Sequence, residues 1–187
     1  MPFPDTAGDC PWTWGERAGL RCDESVKLDP QAQALETGGG YVRGVARLPR
    51  YLLPAEGVYH VTARGVARSL ISRDDDDRRL FLVLLAREVR LESWDCHVFC
   101  LMPNHYHLIV DTRLERLSRG LHRLNGTLAL TFNQRYKRSG HLFGDRFAAF
   151  GIRDEEHLRN ASEYVLQNPV RAGLCECAED WPWSGSR

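Results

Sequence analysis

Polar and apolar residues alternate along Val58-Tyr59-His60-Val61-Thr62-Ala63-Arg64, a stretch of β-branched and aromatic side chains bounded by Gly57 and Gly65, and the pattern predicts a strand. Helical spacing follows. The acidic run Asp74-Asp75-Asp76-Asp77 precedes Leu80, Phe81, Val83, Leu84 and Leu85. Acids in a first turn suit the positive end of the helix dipole, so the run predicts a helix start, with the helix reaching about Arg90. Trp94 to Leu101 reads as a second strand, and Met102-Pro103-Asn104 turns the chain into a third, which a hairpin accommodates. Leu117, Leu121, Leu124, Leu128 and Phe132 recur at spacings of three and four and predict an amphipathic helix from Ser118 to about Tyr136, broken by Gly140. Phe147 to Ile152 is short and apolar enough for a last strand. Asp154-Glu155-Glu156 then opens a helix carrying Leu158, Ala161, Tyr164 and Val165, which Pro169 is expected to stop because the residue before a proline disfavours the helical conformation.

The order β-α-β-β-α-β-α predicts an α+β domain: a ferredoxin-like antiparallel sheet with two helices on one face. The third helix, which bears Tyr164, is free to cover the other face, toward which His105 and His107 would point. Residues 1–46 are rich in Gly, Pro and small polar residues, include Gly38-Gly39-Gly40 and show no sustained period, so they are expected to form a poorly ordered extension to a domain spanning 47–187. The 187 residues, 43% hydrophobic and 27% charged, suit one globular domain. No apolar run approaches the roughly 18 residues that cross a bilayer. The N-terminus lacks the basic start and apolar core of a secretion signal, so a cytoplasmic protein without a membrane partner is expected. The six cysteines lack a secreted-scaffold spacing and are expected to be reduced.

Formal net charge is zero, yet the segment Arg113 to Arg153 holds nine basic residues against two acids, Glu115 and Asp145. Such an excess attracts phosphates, and its rival reading is a solvated helix face. Arg119, Arg123, Arg146 and Arg153 are the candidate phosphate contacts and Asn125 a candidate base or backbone contact. Phe143, Phe147 and Trp183 could stack on unpaired bases or fill the core.

The chemistry concentrates in Leu101-Met102-Pro103-Asn104-His105-Tyr106-His107-Leu108. On a strand, residues i and i+2 project side by side roughly 7 Å apart, so His105 and His107 could share one divalent ion through neutral imidazoles. Mg2+ and Mn2+ are hard cations that prefer oxygen, so a third, oxygen ligand is expected. Asn168 lies four residues after Tyr164, on the same helix face, and its amide oxygen fits that need; it could equally be a helix C-terminal residue. Tyr164 is a candidate nucleophile, and a phenol with a reference pKa near 10 needs help to lose its proton. Cys96 and Cys100, sharing a strand face, form with His105 and His107 a string that admits zinc. His60 could share the histidines' sheet face or be structural, while His141 and His157 are expected at the surface.

Six ordered boxes carry a resemblance to a known family: Gly57-Val58-Tyr59-His60-Val61-Thr62-Ala63-Arg64-Gly65, Met102-Pro103-Asn104-His105-Tyr106-His107, Arg123-Leu124-Asn125-Gly126, Gly140-His141-Leu142-Phe143-Gly144-Asp145-Arg146-Phe147, Tyr164-Val165-Leu166-Gln167-Asn168-Pro169-Val170-Arg171-Ala172-Gly173-Leu174 and Trp181-Pro182-Trp183-Ser184. Together they resemble the REP-associated tyrosine transposases, single-tyrosine HUH endonucleases, from about Leu48 to the C-terminus. The resemblance implies a metal-dependent single-stranded DNA endonuclease and strand transferase acting at hairpin or repeat DNA. His105, His107 and Asn168 would hold Mg2+ or Mn2+, and Tyr164 would form a 5′-phosphotyrosine bond to the DNA. The alternative is a catalytically inactive nucleic-acid-binding module of the same fold. Monomer and homodimer both remain open. At Gly144-Asp145 the chain departs from the family, where many members have a glutamine and a glycine.

Overall fold

A computed structural model describes residues 53–187. The extension expected over residues 1–46 lies outside the described residues. Eight elements follow in order: β1 (Glu56–Arg64), α1 (Asp75–Glu92), β2 (Asp95–Met102), β3 (His105–Arg113), α2 (Leu114–Arg135), β4 (Ala148–Gly151), α3 (Glu155–Arg171) and β5 (Ser184–Ser186). The strands form one sheet in the order β4-β1-β3-β2-β5, every neighbouring pair antiparallel. β3 fills the gap between β1 and β2, the split β-α-β arrangement of ferredoxin-like domains.

Strand parity divides the core in two. Tyr59, Val61, Ala63, Tyr106, Leu108 and Val110 face α1 and α2, where they meet Phe81, Leu85, Leu117, Leu121 and Leu124. Each such side chain fully buried contributes about 1.5–3 kcal/mol. On the opposite face Val98, Cys100, Met102 and Ile109 pack against Ala161, Tyr164 and Val165 of α3. β3 is therefore covered on both sides, and every residue from His105 to Val110 is buried. The expected layering, two helices on one face and the tyrosine helix on the other, is what the chain adopts.

The acidic run starts α1 as expected: the Asp74 side chain accepts from the Asp77 backbone N–H at 3.0 Å. Four local expectations are corrected. First, α2 begins at Leu114 rather than Ser118, directly after β3; its N-cap, Arg113, makes no side-chain capping bond, so no capping residue marks the start. Second, α3 continues through Pro169 to Arg171. Proline cannot donate to the Val165 carbonyl, but the Asn168 side-chain nitrogen does so at 3.4 Å, while also donating to the Tyr164 carbonyl at 2.9 Å. The helix instead ends at Gly173, whose φ of +67° a glycine adopts freely, with Leu174 N–H bonded to the Pro169 carbonyl at 2.9 Å. Third, a bulge between Cys96 and Val98 shifts the register of β2, so Cys96 joins the α1–α2 core and Cys100 the α3 face. The zinc string is thereby split across the sheet. Fourth, the chain adds a strand with little apolar signal, β5, on the free edge of β2. It is held by Trp181, whose indole N–H donates to the Leu101 carbonyl at 3.0 Å.

Candidate functional site

The α3 face of the sheet brings together residues from three elements, β1, β3 and α3. In the β1–β3 ladder His107 lies opposite Thr62 and His105 opposite Arg64, which puts His60 diagonal to His107. The ring centroids of His105 and His107 are 5.0 Å apart, and the planes stand at 82°. From above, α3 lowers Tyr164 onto this pair: its ring centroid lies 6.0 Å from that of His107 and 6.1 Å from that of His60. Asn168 is buried one helical turn further on.

Hydrogen bonds orient the two imidazoles alike. His105 Nδ1 lies 2.6 Å from Asn104 Oδ1, an atom that can only accept, so His105 carries its proton on Nδ1 and presents a lone pair at Nε2. His107 Nδ1 lies 2.9 Å from His60 Nε2. The Nε2 of His107 is buried and has no hydrogen-bond partner. Because the Asn168 nitrogen faces the carbonyls of Tyr164 and Val165, its oxygen is the end left for a cation.

Burial keeps these histidines neutral. It pushes His60 down to about 4, helped by His157, and His105 down to about 3, helped by the Arg64 guanidinium. His107 is lowered well below its ordinary value, first by burial, then by His60, His105 and Arg64. A neutral imidazole is the form that ligates metal. Among the described residues no group of three or more His, Cys, Asp or Glu side chains forms a metal cage. The candidate donors for a hard cation are the Nε2 atoms of His105 and His107 and the Asn168 amide oxygen.

Three of the predicted nucleic-acid contacts lie in the α1–α2 layer, on the other side of the sheet. Arg119 bonds both oxygens of the buried Glu92, with Nη2 2.7 Å from Oε2, and Arg123 bonds Glu88 at 2.7 Å and also Glu92. Asn125 accepts from the Tyr106 hydroxyl at 2.9 Å, on the face away from the histidines. Arg146 is exposed before β4, and Arg153 is exposed just ahead of α3. Phe143 and Trp183 pack against the larger core, and Phe147 is part of it. Charged groups that border the histidines and Tyr164 are instead Arg64 and Arg171, the latter's guanidinium carbon 5.1 Å from the Tyr164 ring centroid. Asn104 and Arg64 are neighbours of the site to which the sequence assigned no role, and His60 was left between sharing the histidines' face and a structural role. Strand alternation put His60 on a candidate face, but only cross-strand register shows which histidine it meets.

The sequence model described as "Transposase IS200 like" matches residues 56–168, from the first residue of β1 to Asn168. The chain belongs to the IS200-like transposase family. Within that family it is similar to a Haemophilus influenzae protein provisionally named a REP-associated tyrosine transposase, with 32% identity over 97 residues. That match takes in 46% of this chain and 54% of the relative, so the transposase chain spans about half the length of the curated relative it matches. A solved REP-associated tyrosine transposase bound to a REP hairpin superposes with a TM-score of 0.55 at 19% identity, covering 71% of this chain and 78% of that one. This likeness speaks for the fold, and it agrees with the resemblance read from the six sequence boxes.

Proposed function

We propose that this IS200-like transposase chain cuts and rejoins single-stranded DNA at hairpin or repeat ends, with Tyr164 as nucleophile. The observation that carries the reading is the partnerless, buried Nε2 of His107 beneath the Tyr164 ring, beside a second imidazole, His105, whose Nδ1 is likewise hydrogen-bonded. His105, His107 and Asn168 would hold Mg2+ or Mn2+, which when bound neutralises the phosphate oxygens. Tyr164 Oη attacks phosphorus and gives up its proton; the P–O3′ bond breaks and the departing 3′-oxygen takes a proton. The products are a 5′-phosphotyrosine and a free 3′-hydroxyl, and attack by a 3′-hydroxyl reverses the step. α3 supplies the alignment by holding the phenol over the imidazoles. Arg64 and Arg171 would add positive charge beside the reacting phosphate, and the exposed Arg146 and Arg153 are the proposed contacts to the flanking backbone. Arg119, Arg123 and Asn125, held by Glu88, Glu92 and Tyr106, brace the helix layer. Hairpin DNA is the proposed partner because the solved neighbour is bound to a REP hairpin. No helix of the described residues is long and apolar enough to cross a membrane. A partner DNA at the nucleoid makes the cytoplasm the proposed location.

The test is incubation with labelled single-stranded hairpin DNA and Mn2+. A covalent adduct stable on a denaturing gel is expected, and Tyr164→Phe is expected to lose it. An adduct that persists in that variant removes Tyr164 from the reaction. Hairpin binding without an adduct across a library of repeat sequences would return the inactive binding module instead.

A further inference from the structure

We infer that His60 is a positioning residue whose Nε2 accepts the Nδ1 proton of His107 and so fixes His107 in the one tautomer that can ligate a cation. The inference rests on the proposed cation role of His107. At 2.9 Å the contact His60 Nε2···His107 Nδ1 is a hydrogen bond between two buried rings, and it holds a single proton. If His107 donates, its Nε2 is a lone pair. If His60 donates, His107 must carry its proton on Nε2, where it would be a buried N–H with no acceptor.

A buried N–H without an acceptor is strongly disfavoured and rarer than a buried unpaired acceptor, and the lone pair is satisfied when a cation binds. The neighbouring ring supplies an independent comparison, since Asn104 Oδ1 dictates that same tautomer at His105. Metal-ligating histidines are commonly oriented by such a partner on the other ring nitrogen. His60 is not itself a ligand through Nε2. As an acceptor that nitrogen has its lone pair in use, and as a donor it has none to offer.

Position reinforces the chemistry. His60 lies on β1 opposite Ile109, so its ring reaches diagonally across the ladder to His107. The ring centroids are 5.2 Å apart, and Phe150 and Tyr164 pack against the His60 ring at 6.4 and 6.1 Å. The ring is walled in, which keeps its nitrogen aimed.

The tautomer is read directly by long-range 1H–15N correlation NMR on the wild-type, metal-free protein. A protonated Nδ1 and bare Nε2 at His107 are expected; the opposite pattern overturns the proposal without any variant. Titration with Mn2+ by calorimetry then compares variants. His60→Leu is expected to weaken Mn2+ binding roughly 10- to 100-fold, while hairpin DNA affinity in the absence of metal stays the same. His60→Gln, which restores an acceptor, is expected to recover part of the loss. Unchanged Mn2+ affinity in His60→Leu overturns the positioning role, and so does a loss as complete as that of His107→Ala, which would make His60 a ligand. If wild type binds no Mn2+ at all, the cation reading of the site fails, and the NMR pattern still decides what His60 does.

Discussion

At Asn168 one amide serves two neighbours. Its nitrogen caps the Tyr164 and Val165 carbonyls, the second of which Pro169 leaves without a backbone donor, so its oxygen is the end available to a ligand. Asn168→Ala is therefore expected to do more than remove a ligand. Urea unfolding should show a loss of about 1–3 kcal/mol, the cost of stranding one buried acceptor, the Val165 carbonyl; a change below about 0.5 kcal/mol, the level of an ordinary surface substitution, would tell against the capping role. Residue identities at the centre of the site were legible because their spacing is local: His105 and His107 by strand parity, Tyr164 and Asn168 by one helical turn. His60 and Asn104 were not, because their meaning lies in which ring nitrogen they touch. No sequence period encodes that.

Between elements, the charge excess counted from Arg113 to Arg153 is largely answered by acids from outside the segment. Arg113 pairs with Glu56, Arg119 and Arg123 with Glu92 and Glu88, and Arg135 with Asp74 and Asp77. The α1–α2 joint is thus an ionic one, with Glu88 and Glu92 buried beneath their arginines. Hydrogen bonds from Arg119, then from Arg123, pull Glu92 down from 4.5 to about 2 despite its burial. A carboxylate lowered on folding stabilises the native state above its unfolded pKa, so its contribution is complete above about pH 4.5 and is lost as pH falls toward about 2. Glu92→Gln should accordingly unfold at lower urea than wild type at pH 7, and the gap should close on acidification through that window. A gap independent of pH would show that Glu92 acts by packing alone. The helices themselves were readable from apolar spacing, but the start of α2 was not, since no capping residue marks it. β5 was missed for a related reason: Ser184-Gly185-Ser186 has little apolar signal and exists as a strand because β2 offers it an edge.

For the molecule as a whole, the site is assembled within one chain, with Tyr164 packed over that chain's own His60 and His107. Mixing Tyr164→Phe with His107→Ala protein should therefore yield no DNA adduct, because neither chain holds a complete set. Recovery of adduct in the mixture would mean that chains exchange α3. Local period was enough for the class of fold and for the succession of elements through α3, since each depends on residues a few positions apart, while the two candidate segments around His105 and Tyr164 were marked by local spacing together with the resemblance that the six boxes carry. What only the tertiary structure decided was how distant segments answer one another. The bulge sends Cys96 and Cys100 to opposite faces, buried glutamates hold Arg119 and Arg123, and a histidine from β1 meets a ring nitrogen of one from β3. These outcomes depend on register and on the burial of charge, which are fixed when the sheet and its helices close around a shared core, and the order of residues along the chain does not specify them locally.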